Sequence, residues 1–366
     1  MTVVLGLLGL SFLVFFHELG HFVAARIFGV KVEAFSVGMG PVLLHHKRGG
    51  TDYRLSLIPI GGYCSMKGEK DYQKALDLNL KSIEGDPDSF YGVHPLKRAV
   101  IGFAGPFFNI LFAFIAFFII GLTGYSYYSA GTTVTMADEV YDMHSAAHEA
   151  GMQTGDTILS INGRSMEDFS DISMYVSMHG NEDLLITVLR GENKIDLTVH
   201  SDMDSEIGGK IGIVADSNSV VQKTVQAQNV FKAFGTGIRR TGEFISLTVQ
   251  SVGLLFKGID ISTAVSGPVR ITSLVGSTVK EGFSEGIKTG LVSTLELLSL
   301  ISISLFFTNL LPIPVLDGAL ILFALAEWIT GRKMSPKVLY YIQLAGVILI
   351  GIIFVFVLIL DIKSFF

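Results

Sequence analysis

The sequence predicts a polytopic α-helical membrane protein, four transmembrane helices with an inserted α+β domain, and three observations carry that reading. The 366 residues are 49% hydrophobic and only 16% charged, with a mean hydropathy of +0.53; ordinary soluble domains carry roughly 25% charged residues. Four segments (2–25, 99–122, 290–318 and 338–360) approach the roughly 20 apolar residues that a hydrocarbon core about 30 Å thick requires. A long polar stretch from about residue 125 to 288 separates the second segment from the third, enough chain for a folded domain of its own. The same composition excludes collagen-like, disordered and disulfide-scaffold classes, and a net charge of −6 gives no sign of nucleic-acid binding. The single cysteine, Cys64, permits no internal disulfide and so carries no information about compartment.

The first segment (1–25) has no basic residue ahead of its apolar run and no small-residue cleavage pattern before Arg26, so it reads as a retained span and not a cleaved signal. Residues 26–98 are rich in Lys and Arg, from Arg26 and Lys31 to Lys97 and Arg98, which places this loop in the cytoplasm. After the second span (99–122), the chain emerges on the far side. Within 125–215, alternating runs at 184–189 and 195–199 flank Arg190-Gly191-Glu192-Asn193, the pattern of strands joined by a tight turn, and 168–178 reads as a short helix. From 216 to 289 the chain forms an extracytoplasmic linker. Its apolar residues Val230, Phe231, Phe234, Ile238, Phe244, Leu247, Val249, Val252 and Leu255 recur near helical spacing with basic residues between them. The expectation is an amphipathic helix on the outer membrane face, or one packed onto the preceding domain. Arg332, Lys333 and Lys337, between the third span (290–318) and the fourth (338–360), fall on the cytoplasmic side after an even number of crossings, so both termini lie outside.

The first span contains His17-Glu18-Leu19-Gly20-His21. On a helix the two histidines, four apart, project from one face and can hold one Zn²⁺, while Glu18 beside them can move a proton for hydrolysis of an amide bond. Zinc hydrolases generally use three protein ligands, and the third span offers Asp317, the one acidic residue between Glu296 and Glu327. Pro312 and Pro314 break the helix just before it, and irregular backbone at membrane depth is tolerated where it is buried or lines a water-filled cavity. Counting from the far side, His17 and Asp317 both fall toward the cytoplasmic ends of their spans, so the three ligands can meet at one level. The competing reading is a transporter with a buried His/Glu/Asp relay, or a non-catalytic membrane scaffold.

The HELGH segment, Asn309-to-Gly318 in the third span and the intervening module resemble the site-2 protease family, specifically the RseP/RasP-type bacterial intramembrane zinc metalloproteases. The resemblance extends to Gly61-Gly62-Tyr63 with Met66-Lys67-Gly68, Gly105-Pro106 with Asn109, and Ser266-Gly267-Pro268-Val269. It implies His17, His21 and Asp317 as zinc ligands, Glu18 as catalytic acid/base, Asn309 as a residue holding substrate or the developing oxyanion, and a PDZ-like domain at 125–215. Residues 145–156 and 158–163 look like one copy of the PDZ pattern, although Gly155-Asp156 and Asn162-Gly163 can also be turns of a generic β-rich domain. His144, His148, His179 and His200 lack metal spacing and are expected at the surface. Where the family often reads Leu-Asp-Gly-Gly-His, this chain has Leu316-Asp317-Gly318-Ala319-Leu320.

The implied substrates are single-span membrane proteins, either regulators of the anti-sigma type already trimmed by an upstream site-1 type protease or remnant signal peptides, cut in the bacterial inner membrane in regulated intramembrane proteolysis. A helical substrate must unwind before its peptide bond can be reached, and a strand edge can take the freed N–H and C=O groups. The stretch from Tyr53 to Met66, with Leu55, Leu57, Ile58 and Ile60 before Gly61-Gly62, is expected to dip into the membrane as that edge. The PDZ-like domain would then admit or refuse substrates by their outer portion.

Overall fold

The computed structural model describes residues 1–141, 143–204, 208–254 and 267–363. In chain order, α1 (Thr2–Ile27) leads into β1 (Val32–Arg48) and β2 (Thr51–Met66), then α2 (Asp71–Asp77) and α3 (Pro95–Thr123). Next come β3 (Tyr125–Ala130), β4 (Val134–Met136), β5 (Thr157–Ile161), β6 (Arg164–Ser165), α4 (Phe169–Met178), β7 (Asp183–Arg190) and β8 (Asn193–His200). The chain continues through β9 (Asp202–Asp204), β10 (Gly208–Lys210), β11 (Ile213–Ala215) and β12 (Val220–Val225). It ends with α5 (Val230–Leu254), α6 (Pro268–Glu285), α7 (Ile287–Asn309), α8 (Asp317–Thr330) and α9 (Pro336–Lys363). Two compact units result: Met1–Thr123 with Gln228–Ile245 and Ser266–Phe366, and Gly124–Ala227 with Ser246–Val265.

Among the described residues, α1, α3, α7 and α9 are long and apolar enough to cross a membrane. α9 is apolar and exposed nearly all round, with Val347, Ile352 and Phe354 uncovered, which is how a helix surrounded by lipid looks. The other three pack in the first unit through small residues, because lipid supplies no hydrophobic drive and backbones must approach closely instead. A Cβ on Gly6 would stand 1.9 Å from the Thr272 carbonyl oxygen of α6, and one on Gly20 2.2 Å from the Ala104 carbonyl oxygen of α3. Leu13, Phe112, Ala116, Val275 and Leu298 fill the space between these contacts.

The third span differs from its expected bounds. Helix α7 stops at Asn309, residues 310–316 are non-helical, and Asp317 opens a separate helix, α8. The prolines cause this: Pro312 and Pro314 can neither donate to a helical ladder nor let their predecessors sit comfortably in it. Arg332 and Lys333 therefore follow α8 and not a continuous span.

β1 and β2 form more than a simple hairpin. Residues 34–37 pair on one side with 52–55 and on the other with 62–65, while 44–48 pair with 51–55. The resulting strand order is 44–48, 51–55, 34–37, 62–66, so the Gly62–Met66 stretch is an edge strand with one side unpaired among the described ladders. Phe35 of this sheet meets Phe15 and Phe22 of α1 at 5.8 and 5.3 Å between ring centroids, seating it against that helix.

In the second unit, β6-β5-β7-β8 form one antiparallel sheet, and Ile158, Ile161, Leu184, Ile186 and Val188 from it meet Ile172 and Val176 of α4 in a closed core. Asp168 caps α4 by accepting from Asp171 N–H. Asn162 and Gly163, both at positive φ (50° and 77°), make the β5–β6 turn, and Gly191 (φ 61°) opens the two-residue turn between β7 and β8. The module runs past residue 215: β12 returns to pair with β3 along its full length, from Val220↔Ala130 to Val225↔Tyr125. What was expected as a linker from 216 to 289 thus begins with a strand of the module and contains α6, packed in the first unit.

The amphipathic segment is helical as expected, and part of its apolar side is covered within the first unit, while Val230 and Phe231 in its first turn are exposed. Phe234 meets Phe114 at 5.2 Å, Phe244 meets Phe117 at 5.0 Å, and Arg240 pairs with Glu296 at 3.2 Å. The helix pattern was legible; the aromatic face of α3 that it covers was not. The end of that segment, Leu255 to Asp260, and Ser266 of the Ser-Gly-Pro-Val motif lie outside the described residues.

Candidate active site

Helix α1 brings His17 and His21 onto one face, one turn apart, and the bend before α8 delivers Asp317 to them. His17 Nε2 lies 3.1 Å from Asp317 Oδ2, His21 Nε2 lies 3.3 Å from Asp317 Oδ1, and the two Nε2 atoms are 3.3 Å apart. His21 is 7% exposed, and the side chains of His17 and Asp317 are 12% and 19% exposed. These three are the group of metal-ligating side chains that converge among the described residues. Donors about 2.1 Å from a tetrahedral zinc stand roughly 3.4 Å from one another, and here one carboxylate oxygen lies near that distance from each imidazole while all the ligand atoms fall within 4.8 Å of one another, a spacing that one ion can bridge.

Backbone close to the site explains the small residues around it. A Cβ on Gly105 would lie 2.2 Å from His21 Nε2 and 2.9 Å from His17 Cε1, so α3 must carry glycine where the imidazoles rest. The next residue, Pro106, cannot donate to the Gly102 carbonyl, and one residue earlier in α3 the Ile101 carbonyl accepts from His21 Nδ1 at 2.8 Å. A Cβ on Gly318 would stand 2.3 Å from the Leu310 carbonyl oxygen, so the turn that presents Asp317 closes only on glycine. Just before it, Val315 holds φ of +85°, a strained conformation for a β-branched residue.

Glu18 lines the same cavity as the triad, a space of about 500 Å³ that also takes in Tyr63 and Asn309. The edge strand passes Glu18 closely: a Cβ on Gly62 would be 3.6 Å from Glu18 Cγ. Asn309 Nδ2 lies 3.5 Å from His17 Nδ1. All five residues singled out from the sequence therefore border one cavity.

Other groups in this cavity carried no sequence signal. Arg98 pairs with Glu327 at 2.8 Å, 5% and 15% exposed, tying the start of α3 to α8. Glu69 accepts from Met66 N–H at 3.2 Å, and burial above all raises its carboxyl. Cys64 is also buried here, and the loss of solvation pushes its thiol up, away from thiolate chemistry. In the module, His144, His148 and His200 each pair with nearby carboxylates, and His179 stacks on Tyr175 at 4.2 Å; none joins a metal-ligating group.

A membrane-embedded metallopeptidase is the class that these helices and this His/Glu/His/Asp arrangement define. Comparison with known proteins agrees: the model of peptidase family M50 matches residues 5–353, and the chain belongs to that family. It is 36% identical to a protein of Treponema pallidum named "Putative zinc metalloprotease", with 96% of each chain covered. It is 37% identical to a Campylobacter jejuni protein of the same description, over 92% of this chain and 86% of that one. An Agrobacterium fabrum protein so named is 31% identical, over 90% and 87%.

Proposed function

We propose that this protein is an intramembrane zinc metalloprotease that cleaves peptide bonds within the transmembrane segments of single-span substrates. His17, His21 and Asp317 hold the metal and Glu18 is the acid/base. The observation that carries this reading is the convergence of two Nε2 atoms, 3.3 Å apart, on the two oxygens of one carboxylate at 3.1 and 3.3 Å, bordering a cavity that Glu18 also lines. Zinc held by these three side chains would supply a Lewis acid able to polarise the scissile carbonyl and to make water acidic enough to lose a proton near neutral pH. Glu18 takes that proton and returns it to the leaving amine nitrogen. Asn309 donates its amide N–H to the substrate carbonyl oxygen as charge develops there.

The unwound substrate adds as a strand along the edge from Gly62 to Ser65, beside which Tyr63 and Cys64 line the cavity. Residues 26–98 lie in the cytoplasm, both termini and the module outside, and the membrane is the bacterial inner membrane. The module is a PDZ-like domain that admits substrates whose outer portion an upstream site-1 type protease has trimmed, of the anti-sigma type, or remnant signal peptides. Closure of β12 on β3 makes it a self-contained unit suited to that task.

The test is Glu18→Gln in purified protein, with zinc content and cleavage of a model single-span substrate measured together. Retained zinc with cleavage reduced by about 10²–10⁴-fold is expected; unchanged cleavage would retire the enzyme reading in favour of a scaffold. Asp317→Ala should lose zinc, and an unaltered metal stoichiometry would remove Asp317 from the ligand set.

A further inference from the structure

The two histidines are held from behind by different groups, and only one of them is accounted for by backbone. A neutral imidazole that gives its Nε2 lone pair to a metal carries its proton on Nδ1, and that N–H needs an acceptor. For His21 the acceptor is the Ile101 carbonyl oxygen at 2.8 Å. For His17 the nearest group is the side-chain amide of Asn109, whose Nδ2 is placed 3.1 Å from His17 Nδ1.

That placement sets a donor against a donor once Nε2 is committed to a cation, and it leaves Asn109 Oδ1 buried with no hydrogen-bond partner. Asn109 is 0% exposed, so solvent cannot repair either fault. The oxygen and nitrogen of a primary amide have the same shape and are assigned by their hydrogen-bond partners. Turning the amide over puts Oδ1 in reach of His17 Nδ1–H and removes the conflict. The backbone around Asn109 is also fixed, because Ser302 Oγ of α7 donates to its carbonyl oxygen at 2.9 Å. Asn309, the other amide nearby, stands farther off at 3.5 Å and is partly exposed.

We propose that Asn109 is a positioning residue for the metal centre: its side-chain carbonyl accepts His17 Nδ1–H and fixes the tautomer and ring orientation in which Nε2 faces the metal. The proposal rests on His17 being a zinc ligand. Loss of such an outer partner typically costs 10–100-fold in metal affinity.

Zinc affinity of the full-length protein in detergent, by competition with a chromophoric chelator, separates this from a packing role. Asn109→Leu keeps the volume and removes the acceptor; Asn109→Asp keeps an acceptor and adds a buried charge. Packing alone predicts that Leu is tolerated and Asp is harmful. Positioning predicts the reverse: zinc bound about 10–100-fold more weakly in Asn109→Leu and within about threefold of the parent in Asn109→Asp. Asn109→Leu within twofold of the parent, or Asn109→Asp as weak as Asn109→Leu, overturns the proposal. A parent protein that binds no zinc, or His17→Ala that binds it unchanged, overturns the ligand assignment instead. Should the variants fold poorly, histidine ¹⁵N spectra of the zinc-loaded parent decide: His17 must show a protonated Nδ1 protected from exchange, and an unprotonated Nδ1 overturns the proposal.

Discussion

In the module, Asp156 finds Arg190 across one sheet: its Oδ1 and Oδ2 accept from Nε and Nη2 at 2.8 and 2.7 Å, and Gln153 N–H adds a third bond. In the membrane unit, Asp317 meets His17 and His21 only because four helices and a broken span bring opposite ends of the chain together. The first carboxylate is satisfied by neighbours that the β5–β7 pairing and its own turn put beside it. The second is surrounded by nitrogen lone pairs and apolar helices, an arrangement costly in hydrocarbon unless a cation fills it. The contrast separates a polar group that serves the fold from one that the fold serves.

The sharpest way to break that contrast is at glycine. Gly105→Ala puts a Cβ 2.2 Å from His21 Nε2, with backbone on one side and an imidazole on the other. We expect bound zinc to fall from one per chain to almost none, read by metal analysis, while the helical circular dichroism of the unit persists. Retention of stoichiometric zinc would mean that α3 can move away from α1, and that the tight Gly20–Ala104 contact is not what fixes the site.

How much of this was legible follows the same division. His17 and His21 sit four apart on one helix, so their spacing alone puts them on one face, with Glu18 beside them. Asp317 was legible because it is an isolated acid in an apolar span after two prolines. The edges of that span were not, since a hydropathy pattern cannot say whether a proline kinks a helix or ends it; here α7 ends at Asn309. The β7–β8 hairpin was legible from alternation and turn residues, whereas β12 was missed because its partner β3 lies nearly a hundred residues earlier and neither strand alternates cleanly. The Arg98–Glu327 pair left no trace in the sequence, and Asn109 stood out only with Gly105-Pro106 in the family resemblance and not for its buried amide, for burial of a polar group is a property of the packed helices and not of any local pattern.

Asp361 gives the next largest effect. Near the end of α9, it is 3% exposed and accepts from the N–H groups of Gly267, Val269 and Arg270 at 2.9–3.1 Å, capping α6 from another helix. Asp361→Ala leaves three helix-terminal donors without that acceptor and should cost about 2–3 kcal/mol. Thermal unfolding in detergent measures it. A loss as small as that of an exposed cap would show that solvent or lipid headgroups reach α6's start.

Asp156 should matter less. Burial pushes its carboxyl up, but Arg190 and the Gln153 N–H outweigh burial and hold it below the usual carboxylate range. A carboxylate held down in the folded state contributes stability that is full above its unfolded value of roughly 4 and is lost as pH falls through the folded value. Hydrogen-exchange protection in β5 and β7, taken relative to the intrinsic rate at each pH, should therefore be unchanged from neutral pH down to about 5 and fall only below roughly 4. Asp156→Ala should remove that acid step and cost about 1 kcal/mol, since Arg190 is a third exposed and solvent screens the pair.

Gly191→Ala completes the series from the opposite direction to Gly105→Ala. Gly191 is at φ +61°, and a Cβ there meets nothing within 4 Å, so the cost is conformational alone. An L-residue in the left-handed region costs about 1 kcal/mol, which should appear as faster exchange confined to β7 and β8 with zinc content untouched. Two glycine-to-alanine changes would then differ in kind: one expels a metal by occupying space that ligands need, the other loosens a turn by opposing its backbone. If Gly191→Ala released zinc as readily as Gly105→Ala, the site would depend on global stability, and the close approach of α3 to the histidines would have no special part in holding the metal.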